Sequence, residues 1–361
     1  MTDNKKSFLN RNRGAKRFLK PRTNAKDVKS ISEEPIPRIT NQTVSQHRQE
    51  VLSGAKKYVY PLKHSKHKIV IISVSIVLVL FIGFMSFTVF NLYKAQNTSK
   101  FMYQVTKILP FPFARIGGSF VSYENYLFEL RHYITYFEKQ QKVDFNSQSG
   151  KDQLAEQKKN ARQIVLNTAY IKKIANEKGI SVSDQEVDKQ IGLLKAQNRL
   201  GGDNKTFENI LKDYYGWTVD DFKRNYKNEI LKYKVIKALD PSVQQKAEKA
   251  LAELKGGKSF AEVAKQYSDD QSTSNSGGKL SAPISNSDRS VKAEVSEALF
   301  NLKPGETSGV IDLGDGLAIV KNDSKQGDKI NASWIYVSYQ GIDHYLNDYK
   351  DKHKATVYVK L

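Results

Sequence analysis

Cysteine is absent from the 361 residues of this chain. Its absence excludes disulfide frameworks, thiol nucleophiles and cysteine-ligated zinc sites together. The chain has six histidines, and none of them shows the spacing of a His-Glu-x-x-His site or of a facial triad. The sequence therefore predicts no metal site and no bound cofactor.

Acidic residues are scarce in the N-terminal fifth of the chain. Residues 1–68 hold 17 Lys and Arg against 5 Asp and Glu, so they carry more than half of the net charge of +20. The segment also has few large apolar residues and no sustained periodicity, which is typical of a disordered chain. We predict a disordered basic tail over residues 1–68.

Charge is missing altogether from residues 69–92, which read IVIISVSIVLVLFIGFMSFTVFNL. At about 1.5 Å per helical residue, this run is long enough to cross a bilayer core of about 30 Å. It is too long for the core of a cleavable signal peptide, and its leader is too long as well. The segment is predicted to be an uncleaved transmembrane signal anchor.

Basic residues flank the apolar run mainly on its N-terminal side, at Lys56, Lys57, Lys63, Lys66 and Lys68. Because the positive flank stays in the cytoplasm, we expect the N-terminus inside and residues 93–361 outside the cell membrane. The tail would then contact anionic lipid headgroups. Nucleic acid would also attract its Lys and Arg, but the tail lacks a folded scaffold and interleaved aromatic residues. No nucleic-acid partner is expected.

Residues 117–240 follow a short predicted stalk, residues 93–116, and have the periodicity of amphipathic helices. Ser183 with Glu186, and Thr218 with Asp221, have the spacing of capping boxes at helix starts. No cluster of Ser, His and Asp and no carboxylate pair suggests catalysis in this region. An all-helical domain is predicted, and a simple spacer is the alternative to a binding domain.

The run from Ser259 to Leu280, SFAEVAKQYSDDQSTSNSGGKL, is the most informative segment of the chain. Ser259 and Glu262 form another capping box, which opens a short helix with an apolar face. A polar loop then closes on Gly277 and Gly278, where turn geometry favours glycine. The sequence ALFNLKPGETSGVI follows at residues 298–311.

This order of a helix, a polar loop, a Gly-Gly turn and an A-x-F-x-L-K-P-G-E-x-S segment resembles the parvulin family of peptidyl-prolyl cis-trans isomerases. NEKGISVSDQEV and YYGWTVDDFKRNYKNEILKYKV resemble the helical N-terminal domain of bacterial extracytoplasmic parvulin chaperones. Together with the apolar run, the resemblance implies an α+β fold class with three parts. These are a single transmembrane helix, an all-helical chaperone-like domain over residues 117–240, and a parvulin-like domain of antiparallel sheet and helices over residues 241–324.

The C-terminal residues 325–361 are predicted to form a strand, a helix and a strand. A parvulin domain opens with a strand of the type A-x-H-I-L-V, and no such strand lies between Asp240 and Ala247. INASWIYVSY, at residues 330–339, resembles the missing strand. Either it completes the parvulin sheet in a permuted domain, or it is an added edge strand. The sequence leaves both alternatives open.

The resemblance also implies where a prolyl site would lie. Two histidines face the site in the family, and Ala318 and Trp334 stand at their positions. Val291, Val295 and Phe300 stand at the methionine and the two phenylalanines of the family's pocket. The residues predicted to bind substrate are Leu280, Val291, Val295, Phe300, Leu317, Ala318 and Trp334. Asp269 and Asp270 are the candidates for a catalytic role, with solvated loop carboxylates as the alternative.

The function implied by the resemblance is that of a membrane-anchored extracytoplasmic folding factor. It would isomerise prolyl bonds of exported polypeptides, a reaction that needs an apolar pocket and groups favouring the twisted amide. Because both histidines are missing, a catalytically inactive holdase of the same fold is the alternative. The expected partners are unfolded or newly exported polypeptides and the lipid bilayer.

Overall fold

The computed structural model describes residues 38–59 and 62–360. The described residues divide into two units, with the boundary between Leu78 and Val79. In the first unit, helix α1 spans Asn41–Val59, and its side chains from Asn41 to Ala55 are all exposed. This helix therefore depends on good helix formers such as Gln, Arg, Glu and Lys and not on packing. The disordered tail predicted for residues 1–68 is wrong over α1, while residues 1–37 of that prediction lie outside the described residues.

Helix α2 spans Leu62–Val89 and continues into a π-helical turn, Phe90–Lys94. Among the described residues, one helix, His67–Lys94, is long and apolar enough to cross a membrane by length and composition. The predicted anchor, residues 69–92, lies inside it.

The second unit contains a helical part that begins directly after this turn. Its helices are α3 (Lys100–Ile108), α4 (Tyr123–Lys139), α5 (Gln148–Lys178), α6 (Asp184–Ala196), α7 (Asn204–Ile210) with a π-helical turn (Leu211–Tyr215), and α8 (Val219–Leu239). The capping boxes predicted at Ser183 and Thr218 are confirmed at the starts of α6 and α8. Helices α4 and α5 bury the largest apolar cluster, which includes Tyr123, Tyr126, Leu127 and Leu130.

A small sheet completes this helical part, so the prediction of an all-helical region with a stalk is wrong in two places. Strands β1 (Pro112–Ile116) and β2 (Ser119–Ser122) pair antiparallel, and β1 also pairs with β7 (Ala355–Val357) near the end of the chain. Residues 93–116 contain α3 and β1, whose Met102 and Phe113 are almost fully buried. These residues are part of the core and do not form a stalk.

The remaining part of the second unit lies between α8 and the C-terminal helix. It contains α9 (Pro241–Lys255), α10 (Phe260–Tyr267), α11 (Gln271–Ser274), β3 (Ile284–Ser285), α12 (Ala293–Asn301), β4 (Ile311–Asp312), β5 (Gly316–Gln326) and β6 (Lys329–Ser338). The strands form an antiparallel sheet in the order β3-β6-β5-β4. Helices α9 and α10 pack on one face of this sheet, and α12 packs on the other.

Strand β6 lies inside the sheet, with β5 along one side. On its other side it meets β3 and the extended residues 278–280, where the Trp334 amide donates to the Gly278 carbonyl oxygen over 2.8 Å. The alternative of an added edge strand at residues 330–339 is therefore wrong. The pairing of β6 with β5 is the one that a permuted domain requires.

The C-terminal segment continues from β6 through helix α13 (Ile342–Lys352) to β7. Helix α13 packs on α5 and α8, and the Tyr349 hydroxyl donates to Glu177 over 2.7 Å. The chain thus returns to the helical part, and the four-stranded sheet is an insertion between α8 and α13.

Candidate functional site

One face of the four-stranded sheet gathers most of the residues predicted to bind substrate. Because side chains alternate along a strand, Ala318 of β5 shares a face with Trp334 and Tyr336 of β6. Helix α12 covers this face with Val295 and Leu299. The six predicted residues found in or against this cluster are Leu280, Val291, Val295, Phe300, Ala318 and Trp334.

Leu317 lies on the opposite face, so the prediction that it joins this site is wrong. Its side chain packs in the other cluster with Ile319, Ile335 and the helices α9 and α10. The period of two along β5 separates Leu317 from Ala318, so the two adjacent residues cannot line one pocket.

The floor of the expected pocket is filled by the protein's own core. Val295 has no exposed surface, Ala318 is 1% exposed and Val291 is 8% exposed. Leu280, Phe300 and Trp334 are half-buried and keep some accessible surface. A proline ring could therefore touch the rim of this face but could not reach the side chains predicted as its floor.

Trp334 is held by hydrogen bonds at the position of one expected histidine. Its indole Nε1 donates to Asp270 Oδ2 over 2.8 Å and to Thr273 Oγ1 over 3.0 Å. Its ring stacks on Tyr336 with a centroid separation of 5.4 Å. The side chain is fixed in place and presents no titratable group to a bound chain.

Asp270 serves as the N-cap of α11, accepting from the Ser272 amide over 3.1 Å. Partial burial acts to raise the pKa of this carboxyl, but hydrogen bonds from Ser272, Thr273 and Trp334 outweigh it, and its pKa lies below the ordinary value. All these donors favour the ionised form. Asp270 therefore stays charged and is unsuited to donate a proton at neutral pH.

Asp269 joins the loop to the sheet. Its Oδ1 pairs with Lys246 of α9, and its Oδ2 accepts from the Ser338 amide over 3.0 Å. Its own amide donates to the Tyr336 carbonyl oxygen over 2.7 Å. These contacts give Asp269 a structural role, and its carboxylate is hydrogen-bonded to the protein and not merely solvated.

The Gly-Gly turn is also explained by packing. Gly278 has a φ of +80°, and a Cβ at this residue would collide with the Trp334 carbonyl oxygen. Only glycine lets residues 278–280 run this close to β6 in that conformation.

Gln197 and Arg199 hold the start of α12 against the helical part, and the sequence did not point to either of them. Arg199 Nη1 donates to the Val291 carbonyl oxygen over 2.7 Å, and Nη2 donates to Ser296 Oγ over 3.0 Å. Gln197 Nε2 donates to the Ala293 carbonyl oxygen over 2.7 Å. Gln197 and Arg199 stand in AQNRLGG, which carries no motif, so only tertiary structure identifies them.

A cleft of about 720 Å³ opens beside this junction, between α6, α8 and residues 289–294 and 312–314. Its apolar walls come from both parts of the unit, with Leu194, Tyr226, Ile230 and Tyr233 facing Val291 and Leu313. Charged side chains of both signs, including Lys189, Glu229, Arg289 and Glu294, surround them. Such a surface suits an extended segment of mixed composition better than one rigid small molecule.

Two family descriptions match parts of the chain that overlap at residues 230–236. Residues 230–324 match the PPIC-type PPIase domain, called rotamase, and residues 62–236 match the SurA-like N-terminal domain. This chain carries a PPIC-type rotamase domain behind a SurA-like domain. The match to the rotamase domain ends before β6, although β6 is an inner strand of that domain's sheet.

Curated proteins similar to this chain come from several bacteria. YacD of Bacillus subtilis (strain 168), whose name proposes peptidyl-prolyl cis-trans isomerase activity, is 28% identical over 58% of this chain and 69% of its own length. Foldase protein PrsA 1 of Lactobacillus johnsonii is 28% identical over 37% of this chain and 50% of its own length. Foldase protein PrsA of Staphylococcus aureus (strain Newman) is 29% identical over 50% of this chain and 63% of its own length. The chain therefore spans less than two thirds of both foldases.

A crystal structure of foldase protein PrsA from Streptococcus pneumoniae also aligns with the rotamase-domain protein. It is 20% identical, covers 54% of this chain and 74% of that chain, and has a TM-score of 0.20. At that score the superposition says nothing about the arrangement of the domains.

Proposed function

We propose that this protein is a membrane-anchored holdase that binds unfolded exported polypeptides outside the cell membrane. The observation that carries the proposal is the occupied rotamase face. Val295 fills its floor, Ala318 stands at one histidine position, and Trp334 is tied to Asp270 at the other. The rotamase domain then serves as one wall of a binding surface.

The cleft beside the Arg199 junction is the proposed place for the client. An unfolded chain exposes apolar side chains at irregular spacing, and half-buried Leu194, Tyr226 and Tyr233 offer contact area without a fixed geometry. Charges of both signs around the cleft let many sequences bind. Apolar walls with a polar rim are the usual composition of such sites.

The proposed topology follows from the charge asymmetry around His67–Lys94. The N-terminus would be cytoplasmic, and residues 93–361 would be outside, where exported polypeptides arrive. The basic tail would contact anionic headgroups on the inner surface. Protease treatment of intact cells should then remove the rotamase domain and spare the tail, whereas loss of the tail alone would overturn this orientation.

Prolyl isomerisation is the second candidate function, favoured by the match to the PPIC-type PPIase domain over residues 230–324. Because the barrier to rotation is about 20 kcal/mol, an uncatalysed X-Pro bond takes tens to hundreds of seconds to isomerise, and a catalyst is easily detected. A rotamase domain that lacks the two site histidines should isomerise X-Pro peptides no faster than buffer alone.

The deciding experiment uses the full chain in detergent, with several X-Pro peptides and an aggregation-prone unfolded client. We expect isomerisation at the buffer rate together with suppressed aggregation. Tyr233→Ser, in the cleft, should weaken the suppression, whereas Tyr214→Ser, an exposed tyrosine outside it, should not. Leu194→Ser repeats the test if Tyr233→Ser lowers the melting temperature. Isomerisation clearly faster than in buffer would overturn the holdase proposal in favour of the enzyme. Unchanged suppression of aggregation in both cleft variants would show that the client binds outside the cleft.

A further inference from the structure

The end of the apolar helix is built into the folded part of the second unit. Thr88 and Leu92 have no exposed surface, and Met85 packs against the main core cluster. The Tyr123 hydroxyl donates to the Leu92 carbonyl oxygen over 2.6 Å. The Gln96 side chain bonds to Lys158 and to the Lys360 carbonyl oxygen. The helix therefore enters the domain without a free linker.

Hydrogen bonds link this helix end to the residues just before α3 and to the strand that follows α3. At its start, the Asn97 side chain bonds to Asn91 over 3.2 Å and accepts from the Ser99 amide over 2.8 Å. Past its last residue, the Pro112 carbonyl oxygen accepts from the Tyr93 hydroxyl over 2.5 Å. A nine-residue helix is about 14 Å long. Helix α3 thus lies beside the point where the apolar helix ends.

The outer face of α3 exposes two large apolar side chains beside polar ones. Phe101 is 57% exposed and Ile108 is 80% exposed, and with the exposed Gln104 they share one side of the helix. The opposite side buries Met102 and Val105. Phe87 and Phe90, 52% and 59% exposed, add to the apolar surface around the helix end.

All charged residues of the segment that carries this surface are basic, although Glu124 lies close to α3, where it accepts from the Tyr103 hydroxyl over 3.3 Å. Between Glu50 and Glu124 the sequence has no Asp or Glu, and the basic residues after the apolar run are Lys94, Lys100, Lys107 and Arg115. An amphipathic helix with exposed aromatic and aliphatic side chains and flanking lysines has the composition of an interfacial membrane helix. Anionic headgroups would contact the lysines.

We propose that α3 lies in the headgroup region of the bilayer, with Phe101 and Ile108 against the lipid. The folded part of the second unit then lies directly on the outer surface of the cell membrane. This inference rests on the proposed membrane anchor. This arrangement would hold the folded part of the second unit at a fixed distance from the membrane. An unfolded chain would be captured next to the surface at which it emerges, not at the end of a flexible tether.

The test uses single cysteines in the full chain, which has no native cysteine to remove. Phe101→Cys and Ile108→Cys carry an environment-sensitive NBD label in nanodiscs of phosphatidylcholine and phosphatidylglycerol. Leu80→Cys, in the middle of the apolar run, reports on the anchor itself, and Lys249→Cys, exposed on α9, is the control. Spin-labelled lipids quench NBD at the depth of the spin label.

We expect a spin label near the headgroups to quench the labels at residues 101 and 108 and to leave the label at residue 249 unchanged. A spin label near the bilayer centre should quench the label at residue 80. If residue 80 is quenched while residues 101 and 108 behave like residue 249, the anchor stands and the seating is wrong. If residue 80 is not quenched by either lipid, the anchor and the seating fail together. Labels at residues 101 and 108 that respond only to an unfolded client would assign α3 to client binding and overturn the seating.

Discussion

Trp334 illustrates, at the scale of single residues, how the fold has occupied a position where the family carries a working side chain. The indole N–H donates to Asp270 and Thr273, and one face of the ring stacks on Tyr336. Asp270 in turn uses its carboxylate to cap α11. Each of these groups has its hydrogen bonds satisfied inside the protein, so none is left to act on a twisted amide.

The hydrogen bonds of Trp334 predict the outcome of Trp334→Phe. Loss of the N–H leaves the Asp270 carboxylate with fewer donors, and we expect the free energy of unfolding to fall by about 1 kcal/mol at pH 7. Client binding should not change. Chemical denaturation of the full chain in detergent measures the first effect, and aggregation assays measure the second.

The matched control and the pH dependence separate this effect from lost packing. Tyr336→Phe, in the same stack, removes a hydroxyl that donates to the Asp315 carbonyl oxygen over a longer distance of 3.3 Å, so its effect should be smaller. The depressed pKa of Asp270 means that its ionised form stabilises the folded state. That contribution is present above the ordinary pKa of 3.8 and is lost as the pH falls through the folded-state value. A cost of Trp334→Phe that stayed constant down to pH 2 would contradict this assignment.

At the scale of elements, local signals predicted helices well and strand partners badly. The capping boxes at Ser183, Thr218 and Ser259 each satisfy two backbone groups within four residues, so the sequence alone fixes where these helices start. Strands β1, β2 and β7 are short, and Arg115 pairs with Thr356 from the far end of the chain. No local pattern encodes a partner so distant. Six of the residues predicted by resemblance lie on one face of the sheet, and the alternation along β5 could already have excluded Leu317 from that group.

Helix α4 carries a buried acid whose environment is decided by its neighbours on other elements. Glu129 is 9% exposed, and burial raises its pKa to about 7. Glu229 acts in the same direction, while the cations Arg224 and Lys172 partly oppose it. The nearby His132 gives little help, because burial lowers its pKa to about 4 and keeps it neutral.

This environment predicts a stability that falls as the pH rises. The folded state holds a proton on Glu129 up to about pH 7, whereas the unfolded chain releases it near 4.5, so stability is lost between these values. Glu129→Gln removes the ionisation, and we expect it to be more stable than the parent at pH 8, by up to about 3 kcal/mol, and similar at pH 5. Thermal melts at both pH values measure the difference. Glu208→Gln, exposed on α7, should match the parent at both, and a Glu129→Gln variant that is less stable at pH 8 would show that Glu129 works there as a paired anion.

At the scale of the molecule, the second unit is organised around an insertion. Strand β7 pairs with β1, and α13 packs on α5, so both ends of the second unit belong to the helical part. The rotamase domain is inserted between α8 and α13 and is held to the helical part by Gln197 and Arg199. If the client binds in the neighbouring cleft, the two walls of the cleft keep their relative position only while this junction is intact.

Arg199→Met should therefore loosen the rotamase domain from the helical part. The variant leaves the Val291 carbonyl oxygen and the fully buried Ser296 hydroxyl without their donor, which we expect to cost about 2–3 kcal/mol. Hydrogen exchange should become faster in residues 289–296 and 312–314 while α4 and α5 stay protected, because the junction would open before the cores unfold.

Arg199→Lys should not restore protection, since an ammonium cannot reproduce the planar fork of donors. Arg289→Met, which loses a hydrogen bond of 3.4 Å to the Asn198 carbonyl oxygen, is the control for hydrogen exchange alone, because Arg289 also lines the cleft, and it should exchange like the parent. Aggregation suppression that fell with the faster exchange would tie client binding to the closed junction, and faster exchange with unchanged suppression would show that the two walls need not stay together.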